Sequence, residues 1–399
     1  MADSTSSGVV IVGGGIVGVV TAYYLARAGV ASVVVERDAI GSHASGFAYG
    51  GLSPVTGAGI PGPLAEMAQA GMRLHRELAE SVVAETGIGI DFRVRRSLAL
   101  AFTDAEARRL QGALPWQQQQ PGYISRWLDG DEARRVEPRI SEEAIGAVSI
   151  EGGADVEPYR LVLALTRAAE ALGASVRHGR ITGLRREGGT VTHVVLERGE
   201  IACETVVLAL GPWSAEASSW LDVPIEVRPL KGQILRLQAP GPPVPCNVGW
   251  DHNYATTKPD GLLWAGTTEE EAGFDEETTR EARDEIGDAL VKMLPAMADA
   301  QVVHQTACLR PVASDGLLLL GRVPGFDSVY MATGAGRKGI LLGPAMGRAV
   351  ADLILTGKER PRSRRLLAGA LRPRAALIPA TGCRSRGAPA PGSGPSSRG

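Results

Sequence analysis

Gly13, Gly15 and Gly18 stand in a Gly-x-Gly-x-x-Gly spacing directly after the apolar run 8–12, and Glu36 closes the next apolar run 18 positions after Gly18. Glycines so spaced between a buried strand and a helix have the physical layout of a dinucleotide site. Gly13 allows a tight turn, Gly15 lets backbone approach a pyrophosphate, and Gly18 lets the helix pack on the strand. Ile16 and Val17 open that helix, whose N-terminal N–H groups attract phosphate charge. Glu36 is suited to accept hydrogen bonds from a ribose diol and repels a 2′-phosphate, so an NADP site is disfavoured.

These residues need a strand, a turn, a helix and a second strand, and the rest of the chain must complete the sheet. Residues 40–54 are small, polar and glycine-rich, a loop passing close to something. Residues 63–86 have the periodicity of an amphipathic helix. Strand runs such as 97–102 mix with helix signals at 103–106 and 129–132, and 117–120 is expected to be an exposed loop. A helix through 172, a strand from 173 and a hairpin over 181–200 come next. Residues 205–211 read as a fully buried strand ending in glycine. Antiparallel strands are expected at 224–238 and 246–267, a helix at 276–294, short strands at 317–321 and 328–334, and an apolar helix at 339–356. Parallel-strand signals far apart, at 8–36, 205–211 and 328–334, imply a dinucleotide domain assembled from three segments and interrupted by a substrate domain supplied twice.

Composition bounds the rest. At 399 residues the chain exceeds the size of a single core, so two domains are expected. Cys203, Cys246, Cys308 and Cys383 show no paired spacing, which argues against a disulfide framework or a zinc site and fits a reducing, cytoplasmic setting. The uncharged stretch 4–26 has the length of a membrane span, but its glycines, its missing basic flank and the strand ending at Glu36 argue for no membrane span. Residues 359–399 hold nine arginines and one acid, a net of +8 that leaves −10 on residues 1–358. That Arg/Pro/Gly-rich tail reads as disordered, and it carries no aromatic-interleaved nucleic-acid motif.

The fingerprint, the 205–211 strand and a closing segment together resemble the amine-oxidising flavoproteins, the family of D-amino-acid oxidase, glycine oxidase and sarcosine oxidase. The closing segment comprises Leu309-Arg310-Pro311, Asp315-Gly316, Gly321-Arg322, Thr333-Gly334 and residues 339–347. Three stretches look most like glycine oxidase: residues 50–54, residues 228–237, and His252-Asn253-Tyr254 with Gly261 and Gly266-Thr267-Thr268. The resemblance implies an α/β (α+β) fold, a Rossmann-like FAD-binding domain interleaved with a substrate domain built on an antiparallel sheet. It places the FAD domain at 1–88, 146–222 and 306–358, and the substrate domain at 89–145 and 223–305. It implies FAD as cofactor and oxidation of a small amino acid or secondary amine, with hydride passing from the amine-bearing carbon to flavin N5, imine hydrolysis, and O2 reduced to H2O2.

Residue by residue, the resemblance makes Arg310 the carboxylate clamp, a role a guanidinium fork fills by two charge-assisted bonds; its bland alternative is a salt bridge to Asp315. Tyr254 matches a pocket-closing tyrosine that donates to the same carboxylate, and His252, two residues earlier, is expected on the same strand face. Arg337 falls where glycine oxidase has an arginine, and Lys338 where sarcosine oxidases have a carboxylate-binding lysine. Ala335 departs from the usual histidine. The cofactor-binding set is Gly13, Gly15, Ile16, Val17, Gly18, Glu36, Arg37, Ser45, Gly50, Gly51, Leu52, Gly211, Gly336, Arg337, Lys338, Gly339 and Ile340. His43 and Cys308 are candidates for covalent flavin attachment, against readings as a loop histidine and a strand cysteine. Alternatives are a dehydrogenase feeding a quinone or carrier, a tailoring oxidase of a larger metabolite, and a flavin subunit without activity. A homo-oligomer is possible on this reading.

Overall fold

The computed structural model describes residues 6–187 and 190–357, so the basic tail lies outside the described residues. Strand Ser6–Val12 forms the centre of an eight-stranded sheet, with Ser32–Glu36 parallel on one side and Glu200–Leu208 parallel on the other. Its register sets Ile11 opposite Val34 and Val207. Val9, Val10 and Ile11 are all buried, as expected for a parallel strand covered on both faces, and this is why the run is continuously apolar rather than alternating. Ser175–His178 and Val329–Thr333 extend the parallel part, and the hairpin Ile181–Glu187 with Thr190–Leu196 adds antiparallel strands at one edge. Helices Ile16–Arg27, Ala65–Thr86, Pro158–Ala171 and Gly339–Thr356 pack together over one face.

The second large sheet also has eight strands. In order they are Gln301–Ala313, Val227–Gln238, Leu263–Gly266, Asn253–Thr257, Asn247–Trp250, Ser97–Ala101, Gly146–Glu151 and Ile124–Asp129. All neighbours are antiparallel except Asn247–Trp250 with Ser97–Ala101. Helix Arg280–Met293 packs on it through Ile286, Leu290 and Met293. A three-stranded sheet of Gly51–Leu52, Ala154–Asp155 and Arg93–Val94 lies apart from both.

Four local expectations change. Sheet membership moves two of the expected domain limits: Gly146–Glu151 pairs with Ser97–Ala101, and Gln301–Ala313 runs unbroken through residue 306 beside Val227–Gln238. Gln117 is not in an exposed loop; it ends helix Asp104–Gln117, which the reciprocal Thr103/Glu106 cap starts, and its buried amide donates to Val55 O at 3.2 Å. The helix expected from 276 begins at Arg280, capped by Thr279. Residues 6–27 divide into a strand and a helix around the glycine turn. One described helix, Gly336–Thr356, is long and apolar enough to cross a membrane, and most of it is buried in the fold.

Candidate functional site

The glycine turn is crowded by backbone. Gly13 has φ +111°, and a Cβ there would stand 2.3 Å from Ala209 O; a Cβ on Gly18 would stand 2.0 Å from Gly13 O. Neither position admits another residue without moving a strand. Gly15 caps the helix with no side-chain bond of its own, and the Ile16 N–H donates to Ser45 Oγ at 3.0 Å. Glu36 accepts from Gly14 N at 2.7 Å and from Asp38 N at 3.0 Å. Each carboxylate oxygen therefore keeps a lone pair for a further donor, as a ribose diol requires.

A cavity of about 110 Å³ opens here, lined by Gly13, Gly15, Glu36, Arg37, His43 and Trp213. The Arg37 guanidinium lies 3.7 Å over the Trp213 ring, and the His43 ring meets the same indole edge-on at 4.7 Å. A second cavity of about 560 Å³ shares Gly15, Ala44, Ser45, Ala209 and Gly211 with the first. The two form one trough across the N-terminus of helix Ile16–Arg27, where the macrodipole favours anionic groups. Ile16, Val17, Gly50, Gly51, Leu52, Gly336, Arg337, Lys338, Gly339 and Ile340 all line the larger chamber. Helix Gly339–Thr356 begins at that wall, and it too lacks a side-chain cap.

Arg310 enters the larger chamber from strand Gln301–Ala313. Its Nη1 donates to Thr268 O at 3.1 Å and its Nη2 to Thr267 Oγ1 at 2.6 Å. The expected alternative, a bridge to Asp315, is not formed: the Asp315 carboxylate accepts from Leu317 N. Among the described residues no carboxylate lies within ion-pair distance of Arg310. The guanidinium rests on Gly232, where a Cβ would come within 2.0 Å of Nη2. Tyr254 lines the same chamber, stacks on Tyr49 with ring centroids 4.2 Å apart, and its buried hydroxyl has no partner among the described residues. Burial pushes the Tyr254 phenol well up from its ordinary value, against a smaller opposing pull from Arg310, so it remains a donor at neutral pH.

Of the other expected residues, His252 also lines the larger chamber, though not as a strand residue. His252 is not on the strand face of Tyr254. It occupies the turn before Asn253–Thr257, its ring bonded to Asp251 at 2.8 Å, and its carbonyl accepts from Arg337 at 2.8 Å. A strand face could not be assigned there because the hairpin turns at residues 251–252. His43 lines the smaller chamber and pairs with Asp38 at 2.8 Å, away from Arg310's chamber. Arg337 pairs with Glu269 at 3.3 Å. Lys338 reaches over Gly57 to Ser53 O at 3.3 Å, and desolvation, then the neighbouring Arg337 charge, lowers its ammonium to about 8. Cys308 lines the larger chamber, and burial raises its thiol, which disfavours the thiolate. Gly232 and Thr267 were not singled out individually. Glycine inside a strand was the available signal for a close approach.

A parallel βαβ crossover with a glycine turn at one end of these cavities has the layout of a dinucleotide-dependent enzyme. Residues 8–353 match the FAD dependent oxidoreductase (DAO) family, and the chain belongs to that family. It is 31% identical over 356 residues to a glycine oxidase of Pseudomonas aeruginosa, covering 89% of this chain and 96% of that one. The fold is similar to that of the glycine oxidase of Geobacillus kaustophilus (TM-score 0.85, 29% identity, 90% and 96% covered). It is also similar to that of an iminodiacetate oxidase of Chelativorans (TM-score 0.82, 27% identity, 89% and 98% covered). The protein is thus an FAD-dependent oxidoreductase of the glycine oxidase-like amino-acid and amine oxidases. The residues present fit FAD: the adjoining chambers suit an elongated ligand, and two helix N-termini border them, that of Gly339–Thr356 without a side-chain cap.

Proposed function

We propose that this protein oxidises a small α-amino acid or secondary amine bearing an α-carboxylate, of the glycine, sarcosine or D-amino-acid type, to its imine, with dioxygen as electron acceptor and hydrogen peroxide as product. The observation that carries the reading is Arg310. A guanidinium in a chamber wall, bonded only to neutral oxygens, leaves its charge for a ligand to neutralise.

Two of its N–H groups are spent on Thr268 O and Thr267 Oγ1, which leaves one on each Nη for a bidentate carboxylate. Tyr254 supplies a further O–H donor to the same chamber, and its stacking on Tyr49 fixes the ring. Held at its carboxylate, a substrate has its amine-bearing carbon restricted to one orientation, a positioning contribution rather than acid–base catalysis. Bound FAD supplies the two-electron acceptor. Glu36, Ser45 and the 13–18 turn are proposed to hold its adenine-ribose diphosphate, and residues 336–340 to border its ring. The likenesses to glycine oxidase and iminodiacetate oxidase support this substrate class.

Anaerobic addition of glycine, sarcosine, proline and D-amino acids should bleach the yellow holoenzyme for at least one compound, and Arg310→Ala should slow that bleaching about a thousandfold or more in kcat/KM, about 4 kcal/mol. A full panel that leaves the absorbance unchanged defeats the proposal. Peroxide formation, compared with dye reduction under nitrogen, separates an oxidase from a dehydrogenase.

A further inference from the structure

Arg310 is not held by an acid, so something else must fix the plane of its fork. We infer that Thr267 is the positioning residue of the substrate clamp: its hydroxyl orients the Arg310 guanidinium for the α-carboxylate of the substrate class proposed above, on which this inference rests. The Thr267 side chain is buried, and its Oγ1 accepts from Arg310 Nη2 at 2.6 Å while donating to Gln233 O at 3.0 Å. The hydroxyl's single proton is directed to the Gln233 carbonyl, with Thr268 O farther at 3.3 Å, and a lone pair accepts from the cation.

The anchor continues inward. Thr268, whose carbonyl holds Arg310 Nη1, has its own hydroxyl bonded to Gln233 N at 3.0 Å and to the Glu270 carboxylate. Gln233 is completely buried, and its amide donates to Glu270 at 3.0 Å. The negative charge nearest Arg310 along this chain of bonds is therefore Glu270, one residue removed through Thr268. That separation leaves the guanidinium fixed in place yet available to a ligand anion. A direct ion pair would have fixed it equally well and consumed the fork. Gly232 beneath the guanidinium supplies clearance only; among the described residues Thr267 Oγ1 is the hydrogen-bond acceptor on Nη2.

The test uses the FAD-loaded full chain and acetate, a carboxylate that lacks the reacting amine. Acetate binding is read from the perturbation it causes in the flavin absorption spectrum. Wild type and Thr267→Ser should bind acetate alike. Thr267→Val and Thr267→Ala should weaken acetate about ten- to a hundredfold, the range for losing a bond to a charged group, with FAD affinity unchanged. In turnover of the best amine of the panel, the two hydroxyl-free variants should raise KM by a similar factor and lower kcat less, and the serine variant should restore both. Acetate affinity within twofold of wild type in FAD-loaded Thr267→Val or Thr267→Ala overturns the inference. Loss of FAD from both also overturns it, because Thr267 would then serve folding. If wild type does not bind acetate and Arg310→Ala changes nothing, the Arg310 reading itself has failed, and this inference with it.

Discussion

The two chambers of the trough are built from different materials. The smaller is bounded on its tightest side by main chain, at the Gly13 turn and the strand carbonyl of Ala209, with the Glu36, Arg37, His43 and Trp213 side chains around it. The larger is shaped by side chains from distant positions, with Tyr49, Tyr254, Arg310 and Lys338 meeting on one wall system. Backbone sites tolerate little because a strand cannot step aside for one residue. Side-chain sites tolerate more and can be retuned without losing the fold. The first chamber is thereby committed to one kind of ligand, whereas the second can vary in substrate among proteins of the same architecture.

The sharpest way to break that contrast is to place a methyl group at one crowded glycine behind each chamber. Gly18→Ala puts a Cβ 2.0 Å from Gly13 O, a backbone atom, so the crossover must open. The expected outcome is protein without flavin absorbance and with stability lowered by about 1–3 kcal/mol or more, read by the visible spectrum and thermal denaturation. Gly232→Ala places its Cβ equally close to Arg310 Nη2, the end of a side chain that can swing. It should keep FAD and near-normal stability while losing about a hundredfold in kcat/KM, since misplacement of the clamp by an ångström costs that order. Steady-state kinetics on the flavin-loaded variant decides it, and a colourless Gly232→Ala would erase the distinction between the chambers.

The same contrast explains what was legible in the residues. Gly13, Gly15, Gly18 and Glu36 lie within one local unit whose spacing follows from local geometry, and the structure forms the turn they imply. Arg310 and Tyr254 came from resemblance to a family, because no local pattern brings a residue at 254 to one at 310. Gly232 and Thr267 were harder still. Their roles depend on the register that sets Gly232 opposite Cys308 and Leu230 opposite Arg310, so that Arg310 lies diagonally across Gly232 on a neighbouring strand. His252 lies in the hairpin turn one residue before the strand, where the alternation of strand faces does not apply, although it still lines the larger chamber.

A smaller effect is expected at Tyr254. Its hydroxyl is buried with no partner among the described residues, so Tyr254→Phe removes an unsatisfied group and should leave the stability of the ligand-free protein unchanged or slightly raised. With substrate, the lost donor should raise KM about tenfold at nearly constant kcat. A marked loss of stability with unchanged KM would assign this tyrosine to sheet packing instead.

The smallest expected effect concerns Lys338 and has a defined direction. Its ammonium is lowered from 10.5 to about 8 by desolvation first and by Arg337 second. Between these values the unfolded chain holds a proton at this position that the folded chain has released, so folding stability contributed by this group rises with pH from about 8 toward 10.5. Below about 8 both states carry the proton, and the folded protein bears the full cost of a crowded cation. Replacing Lys338 by Met should therefore stabilise the ligand-free protein at pH 7, and the advantage should shrink as pH rises through that window. The measurement is thermal denaturation of both proteins from pH 7 to 10, taken as a difference so that other titrating groups cancel. FAD, an anion bound in the trough, should reduce the pH 7 advantage of the methionine variant, because a cation beside it then has a partner. A difference that is flat with pH, in both the ligand-free and loaded proteins, would mean that Lys338 is solvated and stands outside the chamber's electrostatics.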